Sequence, residues 1–202
     1  MLYPITPDRL LRQARALAGY DAGRGRPSYT NHRRAVSAAY YALFHAITDA
    51  AVHRILGDGV ADDEDRFRAR RWINHADIKA ASHWVQACAN ESAPTSNPAG
   101  KTGSKYGVWE LFSVPSGGGQ RQQTVPSAVD IVTRAFIDLQ DVRHAADYDH
   151  LAVFDKPATR LHVETSSRAV AALADKLEDP YMERFLALVI FRANRLRSGG
   201  AG

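Results

Sequence analysis

The stretch Tyr29-Thr-Asn-His-Arg-Arg-Ala-Val-Ser-Ala-Ala-Tyr-Tyr-Ala-Leu-Phe-His-Ala-Ile-Thr-Asp-Ala-Ala-Val-His-Arg-Ile-Leu56 decides how the rest of the chain is read. Val36, Tyr40, Leu43, Ile47 and Ala50 recur at three- and four-residue intervals. That spacing lines up one apolar stripe on a long helix. Gly57-Asp-Gly59 stops it. A stripe of this kind is buried against other helices, and the flanking sequence supplies them.

Upstream, Thr6-Pro7-Asp8 is a helix start: a hydroxyl cap, a proline in the first turn and an acid near the positive end. Leu10, Ala14, Leu17 and Ala18 follow at helical spacing, and Gly19, Gly23, Gly25 and Pro27 end the element. Downstream, Asn74 is placed to cap a helix carrying Ile78, Ala81, Val85 and Cys88. Ser127 is read as the cap of another, with Val129, Val132, Phe136 and Leu139 inward. A helix is expected over about 158–177 after the break at Asp155-Lys-Pro157. Asp179-Pro180 opens the last, with Phe185, Leu188, Val189 and Arg192. No strand alternation and no internal repeat stands out. The expectation is an all-α bundle of about five to six helices in a single domain, 1–202.

Residues 91–126 break the pattern, being rich in Ser, Pro, Gly, Lys and Gln. Ser-Val-Pro-Ser-Gly-Gly-Gly-Gln within them reads as unable to hold a regular element. We expect a long irregular insertion with an apolar, docking middle over 106–114, and a frayed tail over 198–202. Asp58, Asp62, Asp63, Glu64 and Asp65 read as an acidic loop rather than a metal site. Gly117-Gly-Gly119 lacks the lysine and hydroxyl of a phosphate-binding loop.

Composition sets the outer bounds. Length 202 and 45% hydrophobic residues suit a globular domain with a proper core. The longest apolar run, Phe185 to Phe191, is too short to cross a bilayer. One cysteine, Cys88, leaves no intrachain disulfide and no cysteine cluster for a metal. With no signal-peptide pattern at the start, a cytoplasmic location is expected. The net charge of +4 permits an acidic partner. The bases are nearly all arginine, with only Lys79, Lys101, Lys105, Lys156 and Lys176 as lysines. Arginine grips phosphate through paired donors, although a GC-rich genome yields the same excess.

The chemistry concentrates in Arg143-His-Ala-Ala-Asp-Tyr-Asp-His150. Spacing alone is weak, since roughly two or three Arg-to-His pairs of this kind arise by chance in such a chain. Arg26/His32, Arg68/His75 and Arg70/His75 are examples. Only Arg143 and His150 also enclose a tyrosine two residues before the histidine. RNA carries its own nucleophile, the 2′-hydroxyl. A cleaving protein therefore needs proton transfer, which a histidine supplies, and charge at the developing pentacoordinate phosphate, which arginine supplies. On an unbroken helix Arg143 and His150 would share a face about 10 Å apart along the axis, and Tyr148 would point about 140° away. The rival reading is an Arg143–Asp147 ion pair at i,i+4, with Tyr148 and His150 packed into the bundle. One histidine is thin for both acid and base, which favours a two-fold dimer that supplies a second His150.

Arg33-Arg-Ala-Val-Ser-Ala-Ala-Tyr-Tyr-Ala-Leu-Phe-His45, a helix opening at Asn74-His75, and Val142-Arg-His-Ala-Ala-Asp-Tyr-Asp149 occur in that order. In these landmarks the chain resembles the HEPN family (higher eukaryotes and prokaryotes nucleotide-binding domain). Arg143, Tyr148 and His150 match the R-x4-Y-x-H motif of its ribonuclease-toxin branch. Two departures are Ala38, where a basic residue is common, and the length of the insertion. The resemblance implies a HEPN-like bundle that dimerises with two motifs facing one cleft. It further implies metal-independent endoribonuclease activity without a cofactor, as the toxin of a toxin–antitoxin or defence system. Arg143 and His150 would be catalytic, with Asp147 in support. Tyr148 would be the site where a partner nucleotidyltransferase, acting as antitoxin, attaches AMP. The alternative within the family is a non-catalytic nucleotide-binding or interaction module acting beside a nucleotidyltransferase.

Other side chains read less sharply. Arg33 and Arg34 are candidates for RNA phosphate, against plain solvation. Tyr41 and His45 read as core, and His75 as a residue that caps or packs at its helix start.

Overall fold

The structure is a computed structural model that describes residues 5–20, 28–57, 63–90, 112–115, 121–123 and 125–198. Gly23, Gly25, Pro27, Asp58, Gly59, Asp62, Gly117–Gly119, the stretch 106–111 and the tail beyond Ser198, for which the sequence carried expectations, lie outside the described residues. The described chain is all-helical in class. The helices are α1 (Pro7–Leu17), α2 (Tyr29–Leu56), α3 (Asp63–Arg70), α4 (His75–Asn90), α5 (Ser127–Tyr148), α6 (Lys156–Asp175) and α7 (Pro180–Ser198).

Local chemistry sets most of these boundaries. Thr6 accepts from the Arg9 amide at 3.4 Å at the start of α1. Ser28 accepts from Asn31 at 3.2 Å at the start of α2. Asn74 and Asp77 cap α4 reciprocally: each side chain accepts from the other's amide, at 3.1 and 3.3 Å. This satisfies two donors that a helix start leaves open. Asp155 accepts from Ala158 at 2.8 Å, so α6 begins two residues before its expected start. Gly57 closes α2 at φ 65°, a conformation that strains any side chain.

Three expectations are corrected. Asp63, Glu64 and Asp65 belong to helix α3, not to a loop. Glu64 meets Arg68 at 2.5 Å one turn on, which offsets part of the acidic run, and Arg70 ties α3 to α2 through Asp49 at 2.6 Å. Ser127 is the first residue of α5 rather than its cap; Pro126 stands there without a side-chain bond. Part of the insertion is regular: β1 (Ser113–Pro115) pairs antiparallel with β2 (Arg121–Gln123), Val114 opposite Gln122. Pro115 ends its strand, where a missing N–H does little harm. Next to it Phe112 is fully buried, packed in the main core.

Helix α2 is central, packing against α1, α5 and α6. On one side Tyr40, Leu43 and Ile47 join Ile78, Val85, Phe136, Leu139, Met182 and Phe185 in the main core. On the other, Ala14, Ala18, Ala35, Ala38, Ala39 and Val163 form a small-residue seam with α1 and α6. Alanines there let the backbones approach closely, and the Ser166 hydroxyl donates to the Ala39 carbonyl at 2.6 Å. A third small cluster, Val36, Ala146 and Phe154, fastens the end of α5 to α2.

Candidate functional site

The C-terminal turns of α5 carry the motif and lie along α2. Arg143 is partly buried. Its Nε meets Asp147 at 2.6 Å and its Nη2 donates to the Tyr41 hydroxyl at 3.0 Å. The guanidinium carbon lies 5.9, 5.4 and 5.6 Å from the ring centroids of Tyr40, Tyr41 and Tyr148. Three aromatic faces and one carboxylate thus enclose the cation. Burial acts against its charge, but the surrounding Tyr41 and Asp147 outweigh that and hold its pKa above the ordinary value. Asp147 is itself fixed, accepting from Ser37 of α2 at 2.6 Å.

Behind this cage, Tyr40 meets Nδ1 of His75 at 2.6 Å, and His75 lies 4.1 Å from the Phe44 ring. Burial first, then the positive charge of Arg143 and the presence of His45, lowers the His75 pKa. Burial raises the Tyr40 phenol, with Arg143 pulling the other way. Both directions favour the neutral forms, a protonated phenol hydrogen-bonded to an uncharged imidazole. His45 is likewise lowered, by burial and then by Arg70.

The motif is assembled differently from its sequence reading. The ion pair Arg143–Asp147 forms as the rival reading had it, but Tyr148 and His150 are not packed away. Helix α5 ends at Tyr148, Asp149 is extended, and His150 sits in the turn beyond, exposed. Arg143 and His150 therefore do not share a helix face. Tyr148, expected on the wrong side, instead lies against Arg143, because the long arginine chain swings toward Tyr41 and Asp147. Tyr148 is 61% exposed, and its ring lies 4.9 Å from that of His144, tilted at 47°.

Arg33 is a second correction. All five of its donors are used within the chain. Nε donates to the Ala146 carbonyl at 2.7 Å; Nη1 donates to Tyr29 Oη at 2.6 Å and the Ala152 carbonyl at 3.2 Å. Nη2 donates to the carbonyls of Ala145 and Asp149 at 3.2 and 2.8 Å. Tyr29 also donates to Ala152. Arg33 is thus the C-terminal cap of α5 and the clamp on the turn that carries His150, not a free phosphate ligand. Arg34, one residue on, is exposed.

Arg34 opens onto a surface groove of about 620 Å³ between α1, α2 and the end of α5. Thr30, Arg34, Ser37 and Tyr41 line it from α2, at i, i+4, i+7 and i+11. Leu10 and Gln13 face them from α1, and Ala146, Asp147 and Tyr148 from α5. Sequence reasoning missed Ser37, Tyr41 and Gln13 as members of this site, and His75 as a neighbour of Arg143. The polar stripe on α2 was a usable signal for the first two; nothing local marks Gln13 or His75. Among the described residues no three His, Cys, Asp or Glu side chains gather as a metal-binding group, and no helix is long and apolar enough to cross a membrane. No protein-family model, curated protein or solved structure matches the chain.

Proposed function

We propose that this chain is a HEPN-type, metal-independent endoribonuclease that works as a homodimer, the toxin of a prokaryotic toxin–antitoxin or defence system. The observation that carries the reading is the placement of Arg143, a caged cation next to an open groove, with Tyr148 and His150 exposed at the helix end. In the reaction the RNA 2′-oxygen attacks phosphorus and the 5′-oxygen leaves, giving a 2′,3′-cyclic phosphate and a 5′-hydroxyl. One His150 takes the proton from the nucleophile and the other returns one to the leaving oxygen. Arg143 stabilises the extra negative charge, exchanging Asp147 for phosphate oxygens.

His150 lies beyond the end of α5, off the helix that carries Arg143, and a second copy would supply the other histidine that the acid and base roles need. Leu151 and Val153, 89% and 82% exposed on either side of the turn, support a partner at this face. The exposed Tyr148 phenol is open to adenylylation by a nucleotidyltransferase antitoxin, whose AMP would pair with Arg143.

The test is cleavage of single-stranded RNA by purified protein in excess EDTA. Arg143→Ala and His150→Ala should each lose about a hundredfold, the size usual for charge-stabilising and acid–base groups. Full activity in either variant removes that residue from the mechanism. Intact RNA with the unaltered protein leaves the non-catalytic interaction module as the reading.

A further inference from the structure

The groove beside Arg143 has a make-up that the cleavage chemistry does not use. Its volume, about 620 Å³, falls in the range of about 300–1,000 Å³ usual for small-molecule sites. Ala38 and Ala146 keep its floor low, and the rings of Tyr41 and Tyr148 give it flat aromatic surface. Several of its polar groups are already engaged. Arg33 is bonded through all five donors, and Ser37 is bonded to Asp147. Gln13, Thr30 and Arg34 remain at the rim, all exposed. They present an amide that both donates and accepts, a hydroxyl, and a guanidinium. Those are the groups that suit a base edge, a ribose and a phosphate.

Position narrows the occupant further. Tyr41 both lines the groove and accepts from Arg143 at 3.0 Å, so Arg143 and the groove share Tyr41 as a wall. Arg34 lines the groove itself, while Arg143 lies behind its Tyr41 wall, paired with the Asp147 carboxylate that also lines it. An alternating charge, plane, charge pattern fits a single-stranded nucleic acid, in which stacking is indifferent to base identity and edge contacts are not.

We propose that this groove is a nucleoside subsite. It holds the base next to the phosphate at Arg143, stacked on Tyr148, with Gln13 on the base edge and Arg34 on the adjoining phosphate. The inference rests on the ribonuclease reading for the identity of the ligand as RNA, and it makes the groove the source of whatever base preference the protein has.

Fluorescence anisotropy of the full chain with four 2′-O-methylated hexanucleotides, one for each base, tests it without cleavage. Gln13→Trp fills the slot from an exposed helix position and should weaken binding roughly tenfold, the scale of one lost base stack. Gln13→Ala should level the preference among the four bases. Helicity and melting of both variants are checked against the unaltered protein. RNA bound equally well by Gln13→Trp overturns the subsite, even if unmodified RNA is cleaved and the ribonuclease reading stands. Binding that depends on Gln13 without cleavage of unmodified RNA supports the subsite and overturns the ribonuclease reading. Unchanged RNA binding with loss of a protein partner assigns the groove to that partner and overturns the proposal.

Discussion

Arg143 shows how little a side chain's sequence position says about where its charge ends up. The i,i+4 partner Asp147 was legible, because three or four residues bring helix side chains together. Tyr41 was not, because it comes from a helix a hundred residues earlier. The same holds for His75, which the fold brings to Tyr40 and within reach of Arg143. His45, His75 and His162 all have pKa values below the ordinary 6.5, chiefly because burial penalises the charged ring; Asp138 opposes this at His162. Unfolded, each titrates near 6.5, so the unfolded chain binds more protons just below that pH. Their contribution to stability is complete above about 6.5 and is lost as pH falls through the lower folded values. Burial raises the Asp49 carboxyl despite Arg70, which acts in the opposite sense at more acid pH. The melting temperature should therefore fall as buffer pH goes from about 7.5 to about 5.5, and His75→Gln should flatten the fall. A melting temperature independent of pH in this window would contradict the buried, neutral state of these histidines.

Helices α2 and α5 illustrate the next scale. Their inward faces were readable from periodicity alone, since the residues expected inward on each are buried. Their ends were less so. The end of α5 is set by Arg33, whose donors satisfy carbonyls that the helix leaves open. A carbonyl acceptor has no sequence signature, so an arginine that caps a distant helix looks the same as one poised for RNA. Arg33→Ala should destabilise the fold by about 2–3 kcal/mol, the scale of hydrogen bonds to a charged group. Arg33→Lys should restore only part of this, because an ammonium cannot span the planar fan of acceptors. Chemical denaturation measures both. Proteolysis between Asp149 and Phe154 should speed up in Arg33→Ala, and an unchanged rate would remove Arg33 from control of the His150 turn. Helix α3 and the β1–β2 ladder were misread for a related reason: such runs look like loops until their partners are placed, Arg68 beside Glu64, Asp49 of α2 against Arg70, and Gln122 opposite Val114.

On the scale of the whole molecule, the bundle buries its stripes yet leaves Tyr148, Leu151 and Val153 exposed around one turn. The proposed homodimer would cover them. Light scattering at micromolar concentration should give about twice the 22.2 kDa chain mass. Leu151→Asp combined with Val153→Asp should yield a folded monomer that no longer cleaves RNA. A monomer that remains fully active would defeat the composite site, whatever else the protein does.

The sequence by itself determined the all-α class, the place of most helices and their buried faces. Those depend on neighbours within a turn or two: caps, stripes and stop signals such as Thr6, Tyr40 and Gly57. It also marked Arg143, Asp147, Tyr148 and His150 as a group worth attention. Only the tertiary structure decided which of them meet. Arg143 turned to Tyr41 and Tyr148, His150 was left outside the helix, and Arg33 was committed to the backbone of α5. Each outcome depends on packing between segments far apart in the chain, where a long, flexible side chain has several partners in reach and the fold selects one.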